Sequence, residues 1–197
     1  MNQIFAENCF ILKRKGLSIA GKYILFDAEG KKPLLYIEEK SKWFPPSITY
    51  NVYADDKKTR AVLTLKDRPD DPSEDMDVFD AQSGEKIGSL VSDADSFSEI
   101  FKDVWKIINA AGKVQGKVYE KSLSKSLMRE LVSHDLPQQM DIKVGDIEVG
   151  ALRQKVKPIS YELVIDLSKD VSGLLDHRLA VAAAILMAYH QGKEMDV

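Results

Sequence analysis

Apolar residues along this chain fall mostly in short runs separated by turn-forming residues, a pattern of strands joined by hairpins. The run Tyr23 to Phe26, followed by Asp27-Ala28-Glu29-Gly30-Lys31, recurs as Trp105 to Ile108 followed by Asn109-Ala110-Ala111-Gly112-Lys113. A third copy, Val78 to Lys86, has one more residue between its Asp80 and Gly84. Asp and Asn favour turns through side-chain hydrogen bonds, and Gly takes a positive φ at no steric cost. Each copy therefore predicts a strand, a tight turn and a returning strand. The returning strands are Leu34 to Ile37, Ile87 to Val91 and Gly116 to Tyr119. A fourth hairpin is predicted from Ile142 to Val149, with Gly145-Asp146 as its two-residue turn. Further strands are predicted at Ser47 to Ala54, Ala61 to Lys66 and Ser160 to Leu167. Many short strands with regular turn signals point to a sandwich or a barrel.

Three stretches depart from that pattern. Phe97, Ile100, Phe101, Val104, Trp105 and Ile108 recur at helical spacing, and Ser96 with Glu99 has the form of a capping box. The match of Trp105 to Lys113 with the other hairpins sets any such helix to stop near Asp103. A short helix is predicted from Leu123 to Val132, with Leu123, Leu127, Met128 and Leu131 on one face. The segment Asp67 to Asp77, rich in acidic residues and holding Pro69 and Pro72, predicts an exposed, mobile connection.

The last element is the most distinctive. Leu174 to Gln191 predicts a helix stopped by Gly192, apolar on every face from Leu179 to Tyr189. Such a helix must be surrounded by protein or lipid. A membrane span needs about 20 apolar residues, and this run is shorter and flanked by Arg178 and His190. Burial in protein is the expectation, with its alanines letting strands approach closely, as in a barrel threaded by a helix. A helix of this length would span roughly 27 Å, about the depth of such a barrel.

The strand-turn-Gly pieces Val78 to Leu90 and Trp105 to Lys113 resemble the recurrent motifs of a known superfamily. So does the ending, Tyr161 to Leu167 followed by the apolar helix. The superfamily joins tubby-like proteins, phospholipid scramblases and LURP-one-related proteins. The resemblance covers most of the chain and is nearest to LURP-one-related single-domain members. It implies a mainly β fold, a closed antiparallel barrel of about twelve strands around a buried C-terminal helix. One domain over residues 1–197 is expected.

Function is less constrained, since family members diverge. Tubby-like domains tether to phosphoinositides and scramblases are linked to calcium-dependent lipid movement. The chain has neither the proline-rich N-terminal extension nor the cysteine cluster expected of animal scramblases. Before the final helix, where scramblases carry a proposed calcium segment, Asp166, Ser168, Asp170 and Ser172 alternate along the chain. An EF-hand loop counted from Asp166 would need Gly and Glu where Val171 and His177 stand. The segment therefore reads as a strand end plus a helix N-cap from Asp170 or Ser172.

Composition narrows the rest. A formal net charge of -3 argues against coating nucleic acid. The single cysteine, Cys9, permits no intrachain disulfide and reads as a small buried core residue in a reducing compartment. The segment Met1 to Phe10 shows no secretory signal pattern, so the expected setting is cytoplasmic, with a peripheral membrane location as an extension. His134, His177 and His190 lack metal-ligand spacing, and the neighbours Ser133, His134 and Asp135 cannot form a triad. No catalytic constellation, metal site or cofactor motif is present in the sequence.

Basic clusters remain as candidate lipid-headgroup ligands: Lys13, Arg14 and Lys15; Lys57, Lys58 and Arg60; Arg153, Lys155 and Lys157. Lys31 and Lys32 form a smaller pair, and Trp43 and Phe44 are candidate interfacial aromatics. The expectation is a non-enzymatic binding domain for anionic phospholipid, a small ligand or a protein partner. The alternatives are a scramblase-like membrane protein and a hydrolase.

Overall fold

The computed structural model describes residues 3–14, 22–43, 46–68, 75–92, 105–120, 137–155 and 161–195, with backbone alone at 42, 43, 46 and 190–195. These residues form a 3-10 turn (Gln3–Ala6), twelve strands and a helix. The strands are β1 (Cys9–Arg14), β2 (Lys22–Phe26), β3 (Pro33–Trp43), β4 (Pro46–Tyr53), β5 (Ala61–Asp67) and β6 (Met76–Asp80). They continue as β7 (Lys86–Ser92), β8 (Trp105–Asn109), β9 (Val114–Glu120), β10 (Gln139–Val144), β11 (Ile147–Lys155) and β12 (Glu162–Asp166), before α1 (His177–Met195). Each strand pairs antiparallel with its chain neighbours. Pairing of β1 with β12, through Phe10 opposite Ile165 and Leu12 opposite Leu163, closes the barrel and leaves no free edge.

The repeat seen in the sequence is a repeated turn. In β2–β3, β6–β7 and β8–β9, the side-chain oxygens of Asp27, Asp80 and Asn109 accept backbone amides of the turn that follows. Gly30, Gly84 and Gly112 take the positive φ that closes it. The β4–β5 turn uses Asp55 in the same way, accepting from the amides of Thr59 and Arg60. Just before each of the five turns β2–β3, β4–β5, β6–β7, β8–β9 and β10–β11, the register shifts in a bulge. Bulges add local twist, which helps a meander curl until its ends meet. Because strand direction alternates, these turns and the entry to α1 all lie at one rim.

Inward positions form the core. Leu63, Leu65, Val78, Leu90, Ile107, Val118, Met140, Ile142, Leu163 and Ile165 are fully buried, and so is the helix from Ala180 to Met187 on all sides. The alanines keep the helix thin, and glycine on a strand brings the wall in. A Cβ at Gly88 would sit 2.3 Å from the Ile108 carbonyl oxygen and 3.1 Å from Leu179 of the helix. At the far end, the Tyr23 hydroxyl donates to the Ala188 carbonyl at 3.1 Å, and the Tyr50 and Tyr189 rings meet edge-on.

Four expectations need correction. The helix starts at His177 rather than Leu174, because the Asp170 carboxylate takes the amides of Leu174 and Leu175 into a loop. Asp176 then caps the helix by accepting from the Arg178 amide. The helix also runs through Gly192 to Met195; an internal glycine costs only about 1 kcal/mol. The acidic connection after β5 is shorter than predicted. Pairing reaches Asp67 opposite Met76, and Asp75 is buried, because the Arg68 guanidinium bonds both Asp75 and Asp77. Cys9 is not a core residue but a half-buried position of β1. The hairpins at Trp105 and Ile142 form as predicted, whereas the Ser96 and Leu123 helices fall outside the described residues.

Candidate anion-binding surface

The clusters picked from the sequence do not converge on one site. Lys13 and Lys155 flank Glu162 across β12, so two clusters share one wall. Their cations are already engaged there. Lys155 Nζ lies 2.9 Å from Glu162 Oε1, and Lys13 Nζ donates to the Gly30 carbonyl while lying over the Phe26 ring. Arg153 bonds Asp141 and the Met140 carbonyl. Arg14 neighbours Lys13 at the end of β1. Lys57, Lys58 and Arg60 occupy the β4–β5 turn, where Lys58 pairs with Glu38 and Lys57 and Arg60 are exposed. Lys31 pairs with Glu29 in full solvent, a contact of little energetic weight. Lys15, Lys157, Phe44 and the Trp43 side chain lie outside the described residues.

A different cationic group emerges from the register. Lys106 lies opposite Lys117, and Lys117 lies opposite Lys143, giving a row of lysines across the outer wall of β8, β9 and β10. Their strand neighbours show why they face outward: Trp105 and Ile107 flank Lys106, Gly116 and Val118 flank Lys117, and all four are buried. The Tyr119 ring sits within this group, with Lys117 Nζ 5.3 Å and Lys143 Nζ 5.4 Å from its centroid. Both distances suit cation–π attraction, worth about 0.5–1 kcal/mol at an exposed site. Two adjoining carboxylates have partners outside the row. Asp141, opposite Tyr119, is bonded by Arg153, and Glu148, opposite Lys143, is paired with Lys169. Like charges facing each other across strands oppose folding, and this wall gathers them. Adjacency in the chain could not reveal the row, but the apolar-Lys-apolar alternation marks each lysine as outward.

The segment before the helix is built around backbone amides. The Ser168 side chain and amide hold the Asp166 carboxyl below its usual range, with Lys169 adding to the effect against partial burial. Asp170 takes two loop amides and lies 3.7 Å from His177 Nε2, while His177 Nδ1 is 3.0 Å from the Glu7 carbonyl. This joins the N-terminal turn, the loop and the first turn of α1. Among the described residues, no three His, Cys, Asp or Glu side chains gather as a metal site would require. His134 and the His190 side chain lie outside them.

One buried polar group stands apart. The Tyr161 hydroxyl has no hydrogen-bond partner among the described residues, and its ring meets that of Tyr23 edge-on at 6.5 Å. Burial, with Tyr23 beside it, pushes its ionisation far above the ordinary tyrosine range.

No protein-family model matches the chain, and no curated protein is similar to it. The fold is similar to the X-ray structure of a protein from Arabidopsis thaliana, with 12% identity, a TM-score of 0.51 and coverage of 91% of this chain and 90% of that one. At that identity the likeness is one of fold alone. Among the described residues no helix is long and apolar enough to cross a membrane.

Proposed function

We propose that this chain is a non-enzymatic, LURP-one-related-type domain that binds the anionic headgroups of a phospholipid surface from the cytoplasmic side. The observation that carries this reading is the cross-strand row Lys106, Lys117 and Lys143 around Tyr119. A net-negative protein that gathers lysines on one wall, with two nearby carboxylates paired outside the row, has a surface suited to phosphate oxygens. Each lysine near an anionic membrane contributes about 1 kcal/mol, screened by salt within a Debye length. A closed barrel makes a stiff platform for such a row, because β-pairing on both sides fixes each Cα.

Flotation with neutral, anionic and phosphoinositide-bearing vesicles, at low and physiological salt and with and without calcium, tests the reading. Binding confined to anionic vesicles and weakened by salt is expected. The double reversal Lys117→Glu with Lys143→Glu should weaken it by at least about 30-fold. Equal recovery of both proteins with anionic vesicles would refute the assignment.

A further inference from the structure

The large hydrophobic side chains exposed among the described residues are Val114 at 63%, Ile147 at 58%, Val171 at 91% and Leu174 at 36%. They come from three separate parts of the chain, yet the fold gathers them. Val114 opens β9, and its neighbour Gln115 donates from Nε2 to the Leu174 carbonyl at 2.6 Å. The Gly145 amide, in the turn leading to Ile147, bonds the Gln115 carbonyl. The loop carrying Val171 and Leu174 is held against β11 by the Lys169–Glu148 pair and by Leu167, whose Cδ2 would be 2.6 Å from a Cβ at Gly150. The four apolar tips therefore share one sector of the turn rim, beside the helix entry.

The loop is built to hold its tips outward. The buried Asp170 carboxylate accepts from the Leu174 and Leu175 amides, and Leu175 is buried. Val171 and Leu174, both within that anchored stretch, are exposed. Leaving several aliphatic side chains together in water has a cost that an isolated exposed residue does not.

The charges around the tips name the occupant. Ile147 is opposite Val144, the residue after Lys143, and Val114 is opposite Ile108, two residues after Lys106. The lysine row thus begins immediately inboard of the tips, and Lys113 stands next to Val114. Glu148 and Lys169 pair with each other, and Lys113, Lys117 and Lys143 stand near the tips together with Asp146. Elsewhere the rim mixes both signs, Asp27, Asp55, Asp56 and Asp80 standing among Lys31, Lys32, Lys57, Lys58 and Arg60. Aliphatic tips with a basic collar match the apolar interior and anionic surface of a membrane leaflet.

We infer that Val114, Ile147, Val171 and Leu174 insert into an anionic bilayer, docking the barrel tilted onto its β8–β11 side while the mixed-charge β2–β7 part of the rim stays in water. This inference rests on the headgroup-binding reading above and adds the penetrating residues and the orientation.

The test uses the full chain in a Cys9→Ala background, with an environment-sensitive fluorophore at Val171→Cys and, separately, at Lys57→Cys across the rim. With phosphatidylserine vesicles, the probe at 171 should shift to the blue and be quenched by a lipid-borne quencher, and the probe at 57 should do neither. The pair Val171→Asp with Ile147→Asp should lower vesicle binding at least about tenfold, with an unchanged melting temperature as the folding control. Vesicle binding without a shift at 171 overturns insertion and leaves the lysine reading standing. No vesicle binding by the parent protein overturns both. Self-association abolished by the same aspartates would assign the tips to a second copy and overturn the inference.

Discussion

The Arg178 guanidinium reaches from the first turn of the central helix to Asp80 in the β6–β7 turn, with Nη1 3.1 Å from Oδ2, while also bonding Asp176. This ties the helix cap to a hairpin ninety-eight positions earlier. The Asp80 carboxylate serves two roles, one oxygen taking the turn amides of Gln82 and Ser83 and the other taking Arg178. Asp80→Asn separates them, since Asn109 already performs the turn role in β8–β9. Asp80→Asn and Arg178→Met should each destabilise by about 1 kcal/mol, and the double variant by less than the sum. Denaturant melts of the four proteins measure the coupling. Strict additivity would remove the helix-to-hairpin tie from the account.

Acid should unfold the barrel through its turns. Ser83 and Gln82 amides hold the Asp80 carboxyl low, aided by Arg178, and amides of Lys31, Lys32 and Gly30 do the same for Asp27. Thr59 and Arg60 act likewise on Asp55, and Ser168 on Asp166. A carboxyl with a depressed folded pKa contributes stability that is complete above its unfolded value and lost as pH falls through the folded one. The denaturant midpoint should therefore stay level from pH 7 to about 5 and fall steeply below about 4. In an Asp27→Asn, Asp80→Asn double variant the fall should be shallower. A midpoint as high at pH 3 as at pH 6 would contradict this.

Two of the interior tyrosines, Tyr23 and Tyr161, should respond oppositely to loss of their hydroxyls. Tyr23 donates to the Ala188 carbonyl at the end of the buried helix, whereas the Tyr161 hydroxyl has no partner among the described residues. Tyr23→Phe should cost about 1 kcal/mol. Tyr161→Phe should be neutral or stabilising, because it removes a buried polar atom without breaking a bond. Paired thermal melts decide it, and a clear loss in Tyr161→Phe would place an ordered water or ligand on that hydroxyl.

Hairpins were legible because each turn is written locally: an Asp or Asn, a Gly and flanking apolar runs. The buried helix was legible because a helix apolar all round has few places to go. Its start was not, since Asp170 captures the amides of Leu174 and Leu175 from outside the helix. The lysine row was not legible for a related reason. Neighbours on a strand such as Lys13 and Arg14 alternate faces, so a cluster in sequence is divided in space. Lys106, Lys117 and Lys143 belong to three strands and meet only through register.

That register also separates binding from folding. Lys117 lies between Lys106 and Lys143, so Lys117→Glu replaces a like-charge neighbour with an opposite charge on both sides. Cross-strand pairs of this kind contribute roughly 0.2–1 kcal/mol each, partly offset by loss of the Lys117 contact with Tyr119. The variant should be as stable as the parent or slightly more so, yet bind anionic vesicles several-fold more weakly. Lys117→Gln, which removes the charge without adding a pairing, should fall between them in binding. Melting temperature and vesicle flotation measured on the same preparations give both axes. A variant that loses stability and binding together would show the row to be structural, whereas opposite movement is what a surface held at some cost to the fold must give.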